Sequence, residues 1–187
     1  MKALCIGAGP SVDFDYIRNF KGVLVCVDRI LKTLLENNII PDYCVTYEKG
    51  LWGSNTWQID RGFVIMFEEI PKVKTKFIHS PASNEDIVNN LIKDGHDVSM
   101  FTGSLFPAIN NVGLFAWYFT VEKLKPAIVD LIGYDHLLKD FPQRPIKCQW
   151  FREVFFELES FYSQSTNTLI NGQPCKLSGK AQVNISP

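Results

Sequence analysis

The sequence predicts an α/β fold: a three-layer sandwich with a mostly parallel sheet, helices on both faces, and a small C-terminal helix and hairpin appendage. Three observations carry it. Short, nearly continuous apolar segments end repeatedly in glycine or a carboxylate, as strands covered on both faces do. Segments with apolar residues at helical spacing stand between them. A chain of 187 residues, 46 % hydrophobic and 21 % charged, is long enough to bury roughly 70 % of its unfolded surface around one core.

Lys2 to Ile6 is the first strand and stops at the turn Gly7-Ala8-Gly9-Pro10-Ser11. Asp13 to Phe20 reads as a short helix, and Val23 to Val27 repeats the buried-strand pattern up to Asp28. Ile30, Leu31, Leu34 and Leu35 then mark a helix from Arg29 to about Asn37, which Pro41 forbids from continuing. Tyr43 to Tyr47 is a third strand, Gly50 to Asp60 a loop, and Gly62 to Phe67 a fourth strand. Lys76 to His79 follows as another. Ser83 with Asp86 three residues later resembles a capping box, opening a helix that buries Ile87, Val88, Leu91 and Ile92. After the weaker strand Asp97 to Phe101, a central helix presents Leu105, Ala108, Ile109, Val112, Phe115, Ala116 and Phe119 on one broad face. Ala127 to Ile132 closes the strand series. Trp150 to Tyr162, rich in aromatic side chains, reads as a helix lying on the body, and Asn171-Gly172 as a hairpin turn. The whole chain is thus read as one domain, with residues 1–149 as its core and 150–187 as an extension.

Charge and cysteine content exclude several classes of function. Nineteen Lys and Arg against twenty Asp and Glu give a net charge of −1, without the basic excess that binding to a nucleic-acid backbone needs. No apolar run approaches the roughly 20 residues that span a bilayer, and the N-terminus lacks a secretory apolar region, so the reading is a cytoplasmic protein. The five cysteines have no Cys-x-x-Cys spacing and read as reduced, packed thiols. His79, His96 and His136 are isolated from one another and from the cysteines, so no zinc set is expected. The aromatic cluster near the C-terminus reads as core or as a self-association surface of a homo-oligomer.

In an open parallel sheet, ligands bind outside the carboxyl ends of the strands, so the residues that terminate them are the candidates. Gly7 and Gly9 allow a tight turn and close approach, by which exposed amides, helped by the Ser11 hydroxyl, can hold phosphate oxygens; a tight turn without a ligand is the alternative. The dinucleotide fingerprint fails, because Val12 stands where a third glycine belongs and Pro10 alters the turn. Asp28 lies about 20 residues on, the spacing of an acid that bonds a ribose hydroxyl. Asp135 can hold Mg²⁺ or cap a turn, and Glu48 and Glu68 can join it as metal ligands or general base, or else are solvated acids at strand ends. Gly103-Ser104 at a helix start offers amides to an anion or is a simple N-cap. His136 is the one histidine placed to deprotonate an acceptor hydroxyl, or else a surface imidazole.

Gly-x-Gly-Pro-Ser, Val27-Asp28-Arg29 before an amphipathic helix, Ile40-Pro41-Asp42-Tyr43 before a strand, Thr102-Gly103-Ser104, and Leu131-Ile132-Gly133-Tyr134-Asp135 together resemble a known family. It is the 6-hydroxymethylpterin pyrophosphokinase-like family, which includes bacterial motility accessory factors, and the likeness runs from about Lys2 to Asp135. The Gly-x-Gly-Pro-Ser start is shared with bacterial oligosaccharide sialyltransferases. The resemblance implies a Rossmann-like fold, a nucleotide ligand such as ATP with Mg²⁺, and a small hydroxyl-bearing or sugar acceptor. It implies pyrophosphoryl transfer with Asp135 and Glu48 as catalytic residues; glycosyl transfer and a non-catalytic nucleotide-binding module are the alternatives. Glu48 stands where family members usually carry Asp, which moves the charge by a methylene.

Overall fold

The computed structural model describes residues 1–47, 70–103, 111–135, 155, 167–174, 177–178 and 182–183. The fold is α/β and Rossmann-like, and the chain divides into two compact units, residues 1–24 with 117–187 and residues 25–116. The expected loop at 50–60, the strand at 62–67 and most of the helix at 150–162 lie outside the described residues.

In the first unit, β1 (Lys2–Ile6) pairs in parallel with β6 (Ile128–Ile132), from Lys2 opposite Ile128 to Ile6 opposite Ile132. Ala3, Leu4, Cys5 and Ile6 are all fully buried, which is why this segment carries no alternation of polar and apolar residues. Helix α1 (Phe14–Asn19) is capped by Asp13, whose carboxylate accepts from the amides of Asp15 and Tyr16 at 2.9 and 3.0 Å. The hairpin expected at Asn171-Gly172 is present. Both turn residues have positive φ, 49° and 75°, the backbone that a two-residue turn between twisted strands requires. Its first strand, β7 (Asn167–Ile170), also runs parallel to β6, so the hairpin extends the main sheet, with β8 (Gln173–Pro174) antiparallel beyond it. The short strands β9 (Leu177–Ser178) and β10 (Gln182–Val183) pair antiparallel with each other.

In the second unit the order is β2 (Val23–Val27, within the unit from Val25), β3 (Tyr43–Thr46), β4 (Lys76–His79), β5 (Asp97–Met100), every pair parallel. Helix α2 (Asp28–Glu36) buries Ile30, Leu31 and Leu34 as its spacing predicts, and ends where Asn38 turns left-handed at φ 59°. Helix α3 (Glu85–Lys93) departs from expectation in its cap. Asn84, not Ser83, caps it, accepting from the amides of Asp86 and Ile87 at 2.7 and 3.4 Å. The Ser83 hydroxyl is instead held by the preceding turn, accepting from the Ser80 amide at 3.0 Å and donating to the Thr46 carbonyl at 3.2 Å. Of the four residues expected inward on α3, only Leu91 is fully buried and Ile92 is 55 % exposed. The helix lies against β5, itself mostly exposed, which offers it little apolar surface to cover.

Helix α4 (Val112–Phe119) continues into a π-helical turn, Thr120–Leu124, that closes at the left-handed Lys125. In the first unit, Trp117 from its end packs against Phe155 at 5.1 Å and donates its indole N–H to the Thr168 hydroxyl at 3.4 Å. In the second unit, Phe115 packs against Tyr47 and Phe101. Cys5, Cys26 and Cys44 are free, buried thiols. Burial pushes the Cys5 thiol up to about 12 and raises that of Cys44, which faces Cys26 on the neighbouring strand; thiols so placed are poor nucleophiles. Among the described residues no helix is long and apolar enough to cross a membrane.

Candidate functional site

β1 and β6 are adjacent although more than a hundred residues separate them, the kind of jump in strand order that opens a crevice at the carboxyl ends. The loops leaving these two strands run in contact. The Gly7 amide donates to the Ile132 carbonyl at 2.8 Å and the Gly9 amide to the Gly133 carbonyl at 2.9 Å, extending the ladder past both strand ends. A Cβ on Gly7 would run into the Gly133 carbonyl. One on Gly9 would stand 2.7 Å from that same oxygen and would overlap the Asp135 carboxylate. Gly133, at φ +72°, would bring a Cβ within 2.6 Å of a Val12 methyl and 2.7 Å of the Gly7 carbonyl. The glycines of both motifs are therefore required by one another. Only at Gly133 does the backbone conformation itself also demand glycine.

Asp135 completes this clasp. Its Oδ2 accepts from the Ser11 amide at 3.2 Å and from the Ser11 hydroxyl at 3.0 Å, and the residue is 5 % exposed. The expected phosphate donors are the exposed amides of the Gly7 to Ser11 turn. In the structure the Gly7 and Gly9 amides are bonded to strand-end carbonyls and the Ser11 amide to Asp135. Pro10 has no N–H. Of the amides from 7 to 12, Ala8 alone makes no hydrogen bond among the described residues, and Ala8 and Pro10 are the exposed crest of the turn.

Asp28, expected on a ribose, is buried in the second unit, 1 % exposed. One oxygen accepts from the Arg29 amide at 2.8 Å and the other from the Thr46 hydroxyl at 2.9 Å, so this carboxylate ties the end of β2 to the end of β3. Thr46, Ser80 and Ser83 form a polar row along the carboxyl ends of β3 and β4 that the sequence reading missed. Polar residues immediately after apolar strand segments were the available signal. Gly103 is half-buried just beyond β5. Glu48, Glu68, Ser104 and His136 lie outside the described residues.

Of the three carboxylates expected to hold Mg²⁺, the described residues include Asp135. No group of three or more His, Cys, Asp or Glu converges among them, and Asp135, the one expected ligand they include, has an oxygen bonded to Ser11. Mg²⁺ takes one or two carboxylates together with phosphate oxygens and water, and Asp135 is the expected carboxylate that the described residues hold at this turn.

The family model described as 6-hydroxymethylpterin diphosphokinase MptE-like matches residues 1–117. The chain belongs to that family. The match takes in the Gly7 to Ser11 turn and the strands through β5, whereas Gly133 and Asp135 lie beyond it. No curated protein matches the chain by sequence. Among solved structures, the MptE-like chain is similar to the MAf glycosyltransferase from Magnetospirillum magneticum AMB-1, with a TM-score of 0.67 at 16 % identity. That alignment covers 98 % of this chain and 34 % of the glycosyltransferase, so the chain spans about a third of that protein's length. A protein from Lactobacillus plantarum aligns with a TM-score of 0.43 and 13 % identity over 90 % of this chain and 60 % of its own.

Proposed function

We propose that this MptE-like chain is a nucleotide-binding transferase that moves a pyrophosphoryl group from ATP to a small hydroxyl-bearing acceptor, pterin-like in size. The observation that carries the reading is the clasp at the carboxyl ends of β1 and β6, where Gly7, Gly9 and Gly133 bring two backbones together under Ser11 and Asp135. An exposed turn crest with the Ala8 amide beside a serine and a carboxylate suits the approach of a sugar-phosphate chain. The family description, that of a diphosphokinase, supports pyrophosphoryl transfer in particular. On this reading Ser11 and the Ala8 amide face the nucleotide, and Asp135 orients Ser11.

Transfer of a sugar from a cytidine nucleotide is the second reading. The single carboxylate bonded to Ser11 favours it, since such a residue can accept from a sugar or ribose hydroxyl without a metal. The glycosyltransferase that aligns over almost all of this chain supports it as well.

Thermal unfolding with ATP, GTP, CMP and a CMP-sugar, each with and without Mg²⁺, separates these readings, because binding to the native state raises the melting temperature by mass action. The expected result is the largest rise with ATP and Mg²⁺. A rise with CMP and the CMP-sugar alone, indifferent to Mg²⁺, would replace pyrophosphoryl by glycosyl transfer. No rise with any of them would overturn the nucleotide reading.

A further inference from the structure

We infer that Asp135 is a specificity-determining residue: its carboxylate is the resident anion of the Gly7 to Ser11 turn and makes the affinity of this site for phosphate depend on a cation arriving with the ligand. The inference rests on the nucleotide reading of the site. Asp135 Oδ2 takes the two donors of Ser11, amide and hydroxyl, that a phosphate oxygen would otherwise use. It does so from a nearly buried position, over the backbone of Gly9 where any side chain would collide with it. Two anions brought onto one pair of donors repel. A bare phosphate must therefore displace Asp135 or approach against its charge, whereas a phosphate carrying its own divalent cation brings the neutralising charge along. Hydroxyl groups meet no such barrier, because the carboxylate has lone pairs to accept them.

The test is calorimetric titration of ATP into the parent chain and into Asp135→Asn, in EDTA and then with Mg²⁺. Asparagine keeps the shape and the oxygen that accepts from Ser11 and removes the charge. In EDTA the variant is expected to bind ATP at least about tenfold more tightly than the parent, the scale of one like charge removed at contact distance near a surface; with Mg²⁺ the two affinities converge. Adding Ser11→Ala to Asp135→Asn should cancel most of the gain. Asp135→Ala, which removes the acceptor as well, gives the same comparison if asparagine perturbs the turn. Equal or weaker ATP binding by both variants in EDTA, with the parent binding normally, overturns the inference and leaves the nucleotide reading standing. If no variant and no parent sample binds ATP under either condition, the ATP reading fails and this inference with it.

Discussion

Gly133→Val should destabilise the protein by about 3–5 kcal/mol, against about 1 kcal/mol for Gly95→Ala, as read by urea unfolding. Both glycines have positive φ, +72° and +78°, so both substitutions incur the left-handed penalty of roughly 1–2 kcal/mol. They differ in what surrounds them. A Cβ at Gly95 meets only the end of the Lys72 side chain at 3.2 Å, which can move aside. At Gly133 it meets the Gly7 carbonyl at 2.7 Å, backbone that is itself bonded into the β1–β6 ladder, and a Val12 methyl at 2.6 Å. Forcing that contact open adds an overpacking cost of about 1–3 kcal/mol, and a branched residue tolerates positive φ least. Equal costs at the two positions would show that the two loops are not packed as described.

Asp130→Ala should cost about 2–4 kcal/mol, because it strips a buried carboxylate from two donors at once. Asp130 lies within β6, 1 % exposed. It accepts from the Gly172 amide at 3.0 Å and from the Tyr16 hydroxyl in a short hydrogen bond, so it fastens both the β7–β8 turn and helix α1 to the sheet. Partial burial, and then the bond to Asp130 and its charge, push the Tyr16 hydroxyl up to about 12 from an ordinary value of 10. The stability this contributes is present below pH 10 and is lost as pH rises from there through 12, where the folded tyrosine finally ionises. In Asp130→Asn the charge is gone and the Tyr16 titration, followed by ultraviolet absorbance, should move back toward 10. A tyrosine titration unchanged by this substitution would contradict the pairing.

Much of the fold was legible from the sequence because buried parallel strands leave a plain mark. Lys2 to Ile6 and Val23 to Val27 had no polar face to misread, and Asn171-Gly172 is a turn with few other uses. The apolar spacing marks the helix at Glu85–Lys93 but not its cap or inward face: serine and asparagine both serve as caps, and only the turn with Ser80 and Thr46 decides that Ser83 is engaged elsewhere. That β7 pairs with β6 was not legible, since a four-residue strand carries no information about its partner. At the site, the two glycine motifs were visible one by one. Their packing against each other is a matter of close backbone approach over more than a hundred residues of separation, so the bonds of the Gly7 and Gly9 amides to Ile132 and Gly133 leave no mark in the sequence. The same holds for Asp28. A strand-end carboxylate reads the same whether it faces a ribose or a threonine such as Thr46 on the next strand.

Nucleotide binding at the paired glycine turns is tested most directly by amide hydrogen exchange across the chain, with and without a saturating concentration of the nucleotide that stabilises it most. Protection on binding is expected to concentrate at Gly7 to Ser11, the Ala8 amide above all, and at Gly133 to Asp135. Protection confined to other segments, with both glycine turns exchanging as in the free protein, would contradict it.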